Sequence, residues 1–163
     1  MKQRGDRYLW FLLRVSFAWL FLWAFFDKLL GLGFSTTPDK SWLLGTSPTT
    51  GFLLNAAKGP FVSFFNTLGG SLLVDWLFMI GLFLIGLALL FGVAMRLACY
   101  SGSLLFFLMW LAVLPPTHNP LIDEHIVYLI MLLILSTTKA GSFYGLGRYW
   151  SKLSFVKKYP FFE

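Results

Sequence analysis

The chain has 163 residues, of which 58% are hydrophobic and only 12% charged, where soluble domains carry about 25% charged residues. An aromatic share of 20%, with 19 Phe and 7 Trp, and recurring apolar runs close to membrane-spanning length exclude an ordinary soluble domain and point to an all-α polytopic membrane protein. The single cysteine, Cys99, excludes an internal disulfide or a C-x-x-C redox pair, and the net charge of +6 is read by its placement along the chain rather than as a nucleic-acid signal.

The first predicted span covers residues 8–30. It contains Arg14, exceeds a usual signal-peptide core and has no small-x-small cleavage site, so it is expected to be retained. Arg14 is expected to snorkel to the inner headgroups, and Asp27-Lys28 closes the span at its outer end. An outer loop, residues 31–72, follows. Pro48 and Pro60 each precede an apolar run, as Pro does at a first helical position, which predicts two short interfacial helices. Phe61, Phe64, Phe65 and Leu68 are expected to share one face of the second.

Spans 73–95 and 97–114 form a predicted hairpin around Arg96. Its small residues Gly81, Gly86, Gly92, Ala98, Ser101 and Gly102 allow close helix approach. Asp75 begins the second span beside Trp76, an aromatic at interface depth. A fourth span, 121–138, is entered through PPTHNPLIDEH, which holds both histidines, His118 and His125. Asn119-Pro120 reads as an N-cap followed by Pro at the first helical position. A basic inner tail, 139–163, completes a single domain over residues 1–163. Each span is long enough, or nearly so, to cross roughly 30 Å of hydrocarbon as a helix.

Charge sorting sets the expected orientation. With both termini inside, Lys2, Arg4, Arg7, Arg96, Lys139, Arg148, Lys152, Lys157 and Lys158 fall on the inner side. Asp27, Asp39, Asp75, Asp123 and Glu124 all fall outside. The outer mouth therefore gathers scarce ionisable groups from three spans: Asp27 and Lys28, Asp75, and Glu124 with His125. Helix-end stabilisation by the acids is the competing explanation. His125 and Tyr128 are three residues apart, so they share a helical face, and an imidazole beside a phenol and carboxylates can relay protons near neutral pH. Two histidines without a third soft ligand make a metal or haem site unexpected.

Arg14, Asp27-Lys28 and Arg96-Leu97-Ala98 resemble the DoxX/DoxD family of small four-span membrane proteins. The strings WAFFDKLLGLGF, SPTTGF, KGPF, VDWLFMIGLFLIG, LPPTHNPLIDEHIVY and the late GLGR are similar to its DoxD branch, and the resemblance runs over essentially the whole chain. It implies a four-transmembrane-helix bundle in the cytoplasmic membrane. It also implies a subunit of thiosulfate:quinone oxidoreductase, which joins two thiosulfates into tetrathionate and passes the electrons to membrane quinone. The implied partners are the lipid bilayer, a DoxA-like second subunit and further copies of the chain. On this resemblance, Glu124, His125, Tyr128, Asp27 and Asp75 are the candidate catalytic residues, with Arg14, Lys28, Trp76 and Arg96 the candidates for contacting quinone. The alternative is a non-catalytic scaffold or assembly subunit of another redox complex.

Overall fold

A computed structural model of the chain describes residues 2–117 and 119–162, with side chains from residue 6 onward. His118 lies outside the described residues. Eight α-helices occur among them, joined by 3-10 turns, and no strand. Three are long. Helix α1 runs Lys2–Leu30, and after two short helices, α2 (Thr50–Asn55) and α3 (Val62–Leu68), come α4 (Leu72–Phe91) and α5 (Met95–Ala112). The segments Asp6–Leu30, Leu72–Phe91 and Met95–Ala112 are apolar enough to cross a membrane, and their 25, 20 and 18 residues correspond to about 37, 30 and 27 Å. Helix α6, Glu124–Ser136, has 13 residues, about 20 Å. It is shorter than the span expected over 121–138.

The outward faces of these helices suit lipid. Leu73 and Leu77 are 78% and 71% exposed, and Trp19 and Leu104 are also open; water would make such a surface an aggregation liability. Inside, Phe17, Phe21, Leu82, Leu89, Cys99, Phe106, Leu132 and Leu135 form one core drawn from all four longer helices. Helix α1 packs on α4, α4 on α5, and α5 on α6. The ring of Tyr128 on α6 meets Phe17 on α1 edge-on at 5.8 Å and closes the bundle. Among the small residues, Gly86 and Gly102 are the close-approach positions: a Cβ there would lie 2.7 Å from Leu22 and 2.8 Å from Leu132 respectively. Gly81 meets nothing within 4 Å.

Two of the helix boundaries that differ from expectation do so for a clear local reason. Helix α4 stops at Phe91 rather than 95, because Gly92 adopts φ 70 and its N–H bonds back to the Ala88 carbonyl. Arg96 thereby enters the first turn of α5 and donates to the Pro160 carbonyl at 3.2 Å. At α6, Asn119 does not cap the helix. Its Oδ1 accepts from the N–H groups of Leu121 and Ile122 at 2.9 and 3.0 Å, a local turn, and Asp123 is the N-cap.

The segment between α1 and α4 forms short helices after Pro48 and Pro60, as expected. Leu53 of α2, Ala57 in the connection and Phe65 of α3 are buried with Ala112 at the C-terminal end of α5, and the Lys58 N–H donates to the Ala112 carbonyl at 2.8 Å. Only Phe65 of the expected Phe face is buried; Phe61 and Phe64 point outward. The basic C-terminal tail is likewise folded rather than loose. Helices α7 (Gly147–Trp150) and α8 (Ser154–Lys158) follow a 3-10 turn at Ala140–Ser142. Leu146 donates to the Phe91 carbonyl at 2.8 Å, and Phe161 stacks on Tyr100 at 6.1 Å.

Candidate functional site

The acids Asp27, Asp75 and Asp123 reach their positions on three different helix ends, and each is bonded to a different piece of chain. Asp27, in the last turn of α1, is fully buried. Its Oδ1 accepts from the Phe34 N–H at 3.2 Å, and its Oδ2 accepts from the Ser35 N–H at 3.0 Å and hydroxyl at 2.6 Å. Lys28 donates to the same Ser35 hydroxyl at 3.4 Å. A carboxylate at the end of α1 thus stands in for the missing backbone partners of a loop that must turn back under itself. Asp75, in the first turn of α4, is also buried, and its Oδ1 accepts from the hydroxyls of Ser47 at 2.8 Å and Thr49 at 2.5 Å. The Ser47 hydroxyl in turn accepts from the N–H and hydroxyl of Thr50 at the start of α2. Trp76 is half exposed and meets Trp42 edge-on at 4.7 Å, covering the same loop.

The third acid belongs to α6. Asp123 Oδ1 accepts from the N–H groups of His125 at 3.0 Å and Ile126 at 3.3 Å, while Oδ2 faces His125 Nδ1 at 2.8 Å. One carboxylate therefore caps the helix and orients the imidazole. The acceptor selects the Nδ1–H tautomer of the neutral ring, leaving Nε2 as its basic atom. The ring stands 6.3 Å from that of Phe106. Tyr128, one turn further in, lies 5.4 Å from Phe106 and is perpendicular to Phe17. Glu124 is exposed. Ligating atoms of Asp123, Glu124 and His125 fall within 4.8 Å of one another. The three are sequence neighbours at one helix start and Glu124 is exposed, and exposed acidic groups are common without an ion.

Among the described residues, no hydrogen bond joins Asp27 or Asp75 to Glu124, His125 or Tyr128. These groups share one end of the bundle, but they are three separate arrangements. The sequence reading missed Ser35, Ser47 and Thr49, the donors that take up these acids. Their signal was present as hydroxyl-rich loop segments facing buried carboxylates, and only the fold could pair them.

Arg14 and Arg96 lie at the other end. Arg14 does not snorkel: it is wholly buried. Its Nη1 donates to the carbonyls of Leu89 and Leu90 at 2.9 and 3.1 Å, and its Nη2 to those of Phe143 and Tyr144, both at 3.3 Å. The first pair belongs to the last turn of α4, where orphan carbonyls and the negative end of the helix dipole favour a cation. The second pair belongs to the tail. Arg14 therefore clamps three chain segments, and its Nε alone has no acceptor. Snorkelling is not needed here, because the guanidinium finds four carbonyl acceptors within the protein. Glycines make this approach: a Cβ on Gly92 would collide with Arg14 Nη1 and lie 2.6 Å from the Gly141 carbonyl, and one on Gly145 would lie 3.0 Å from that same Nη1.

Comparison of the chain with protein-family models, with curated proteins and with solved structures returns no match.

Proposed function

We propose that the chain is a multi-pass subunit of the cytoplasmic membrane, of the DoxX/DoxD type, serving a thiosulfate:quinone oxidoreductase-like complex. It crosses the bilayer four times, with both termini on the cytoplasmic side. The short α6 supports a fourth crossing through its ends: Trp110 at the outer end of α5 donates to the Leu121 carbonyl, while Leu146, beyond α6, donates to the carbonyl of Phe91 at the inner end of α4. Cysteine labelling tests the topology. Modification of residues 31–72 from the cytoplasmic side would overturn it, since the orientation rests on one-sided charge.

The observation that carries the redox reading is the Asp123–His125 pair on the first turn of α6, with exposed Glu124 beside it and Tyr128 one turn inward. In the reaction, two thiosulfates lose two electrons as their S–S bond forms, and quinone takes up two electrons and two protons. A quinone carbonyl calls for a proton-handling donor beside an aromatic wall, and His125 next to Phe106 fits that requirement. His125 Nε2 would hold the proton, Asp123 would keep the ring oriented, and Glu124 would exchange protons with water. Asp27, Asp75 and Arg14 then act as positioning residues for the loop and tail. Cys99 is buried in the core, so a sulfur adduct on this chain has no thiol to form on, and thiosulfate binding falls to the DoxA-like partner.

The test is thiosulfate-dependent quinone reduction by the reconstituted pair. His125→Gln should lower turnover about tenfold or more while thermal stability stays near wild type, because the Asp123 cap survives. Undiminished turnover refutes the role. A second reading, a non-catalytic scaffold of a redox complex, is favoured by the engagement of Asp27, Asp75 and Arg14 in tethers within the chain. It predicts quinone reduction by the partner that is indifferent to His125 but lost when the bundle is destabilised.

A further inference from the structure

The inner end carries a group of side chains that neither the bundle core nor the redox reading uses. Two clefts of about 360 and 450 Å³ open on either side of Phe143. Asp6, Arg7, Trp10, Thr138 and Lys139 line the first; Arg7, Ser142, Arg148 and Tyr149 are among those lining the second. Arg7 is common to both, its guanidinium carbon 5.6 Å from the centroid of the Phe143 ring. A guanidinium placed against a ring still has N–H donors for an acceptor. Arg7, Lys139 and Arg148 are exposed, and among the described residues none of them is in an ion pair. Three cations against one acid, Asp6, face the clefts from α1, from the turn after α6 and from α7.

We infer that these clefts seat the headgroup phosphate of an anionic phospholipid of the inner leaflet. Arg7 lies between them as the shared anchor, with Lys139 on one side and Arg148 on the other. The surroundings fit a lipid better than a free anion. Tyr8, Leu9 and Leu12 stand exposed on α1 within two turns of Arg7, offering apolar contact to acyl chains. Half-buried Trp10 and exposed Tyr149 line the clefts with rings of the kind that meet headgroups. A zwitterionic headgroup would bring its own cation beside three others, with Asp6 alone to offset it. Basic clefts between helices on the inner side are sites where anionic headgroups gain most. The inference requires a membrane protein with this end inside, but it stands whether or not the chain serves quinone chemistry.

The test is lipid retention by the full-length protein in neutral detergent, read by native mass spectrometry after adding phosphatidylglycerol, phosphatidylcholine or inorganic phosphate. Phosphatidylglycerol should be held about tenfold more tightly than phosphatidylcholine, and inorganic phosphate at the same concentration should not displace it. Arg7→Gln, Lys139→Gln and Arg148→Gln should each weaken retention about five-fold. Lys157→Gln with Lys158→Gln, on α8 outside the clefts, should change it less than about two-fold. Equal retention of the two lipids, displacement by inorganic phosphate, or an equal loss from the α8 pair overturns the site. Should Arg7→Gln fail to fold, the exposed Lys139 and Arg148 variants decide the outcome on their own.

Discussion

Replacing Arg14 with Lys keeps the charge and most of the apolar stem but removes the planar fork that reaches two pairs of carbonyls at once. An ammonium can serve the Leu89–Leu90 pair or the Phe143–Tyr144 pair, not both. Two acceptors are then left, part-buried in all but the Leu89 case, each costing up to about 1–3 kcal/mol. Removal of the unpartnered Nε returns part of this, also about 1–3 kcal/mol. The net expectation is a loss of about 2 kcal/mol, or about 4–8 °C in Tm for a chain of this size. The tail gives a local readout, because Phe143 and Tyr144 sit just before the Leu146 N–H bonded to Phe91. Hydrogen exchange at Leu146 should accelerate in Arg14→Lys before the bundle unfolds. An unchanged Tm together with unchanged exchange at Leu146 refutes the clamp and restores snorkelling as the explanation.

Asp27→Asn should cost about 1–2 kcal/mol and raise hydrogen exchange at Phe34 and Ser35, since two of its partners are backbone N–H groups that cannot reverse their role. Asp75→Asn should cost less, about 1 kcal/mol or below, because the Ser47 and Thr49 hydroxyls can rotate to suit an amide; an equal loss in the two thermal melts contradicts this. Asp123→Ala should lower stability by about 0.5–2 kcal/mol through loss of the N-cap, whereas Glu124→Gln, exposed and unbonded to the helix end, should leave the melt unchanged. Gly92→Ala should abolish the folded state in a size-exclusion and melting assay, for its Cβ meets Arg14 and Gly141. Gly33→Ala, equally left-handed but with nothing within 4 Å, should cost only about 1–2 kcal/mol.

Much of the candidate site was legible as composition but not as connection. The sequence marked Asp27, Asp75 and Asp123 as scarce charges at helix ends, and helix-end placement is what the structure records for all three. Hydrophobic patterning does not say which loop folds back over a carboxylate. The hydroxyls of Ser35, Ser47 and Thr49 look like ordinary loop residues until the chain returns on itself. The same limit applies to α6: Asn119-Pro120 satisfies the local rule for a helix start as well as Asp123 does, and the choice falls to Asp123 because its carboxylate serves two helix N–H groups and His125 together.

By itself the sequence determined that the chain is helical and suited to lipid, and where the long apolar helices run, because burial in hydrocarbon demands length, low charge and internally satisfied backbone. These are properties of consecutive residues. Only the tertiary structure decided what Arg14 does, where α4 stops, and that the basic tail folds under the bundle. Arg14 reaches carbonyls 75 and 129 positions further along the chain, and no local pattern encodes such a distance. A buried guanidinium in a nonpolar bundle takes the acceptors that packing brings to it, and the glycines that make room for it acquire their meaning only from that packing.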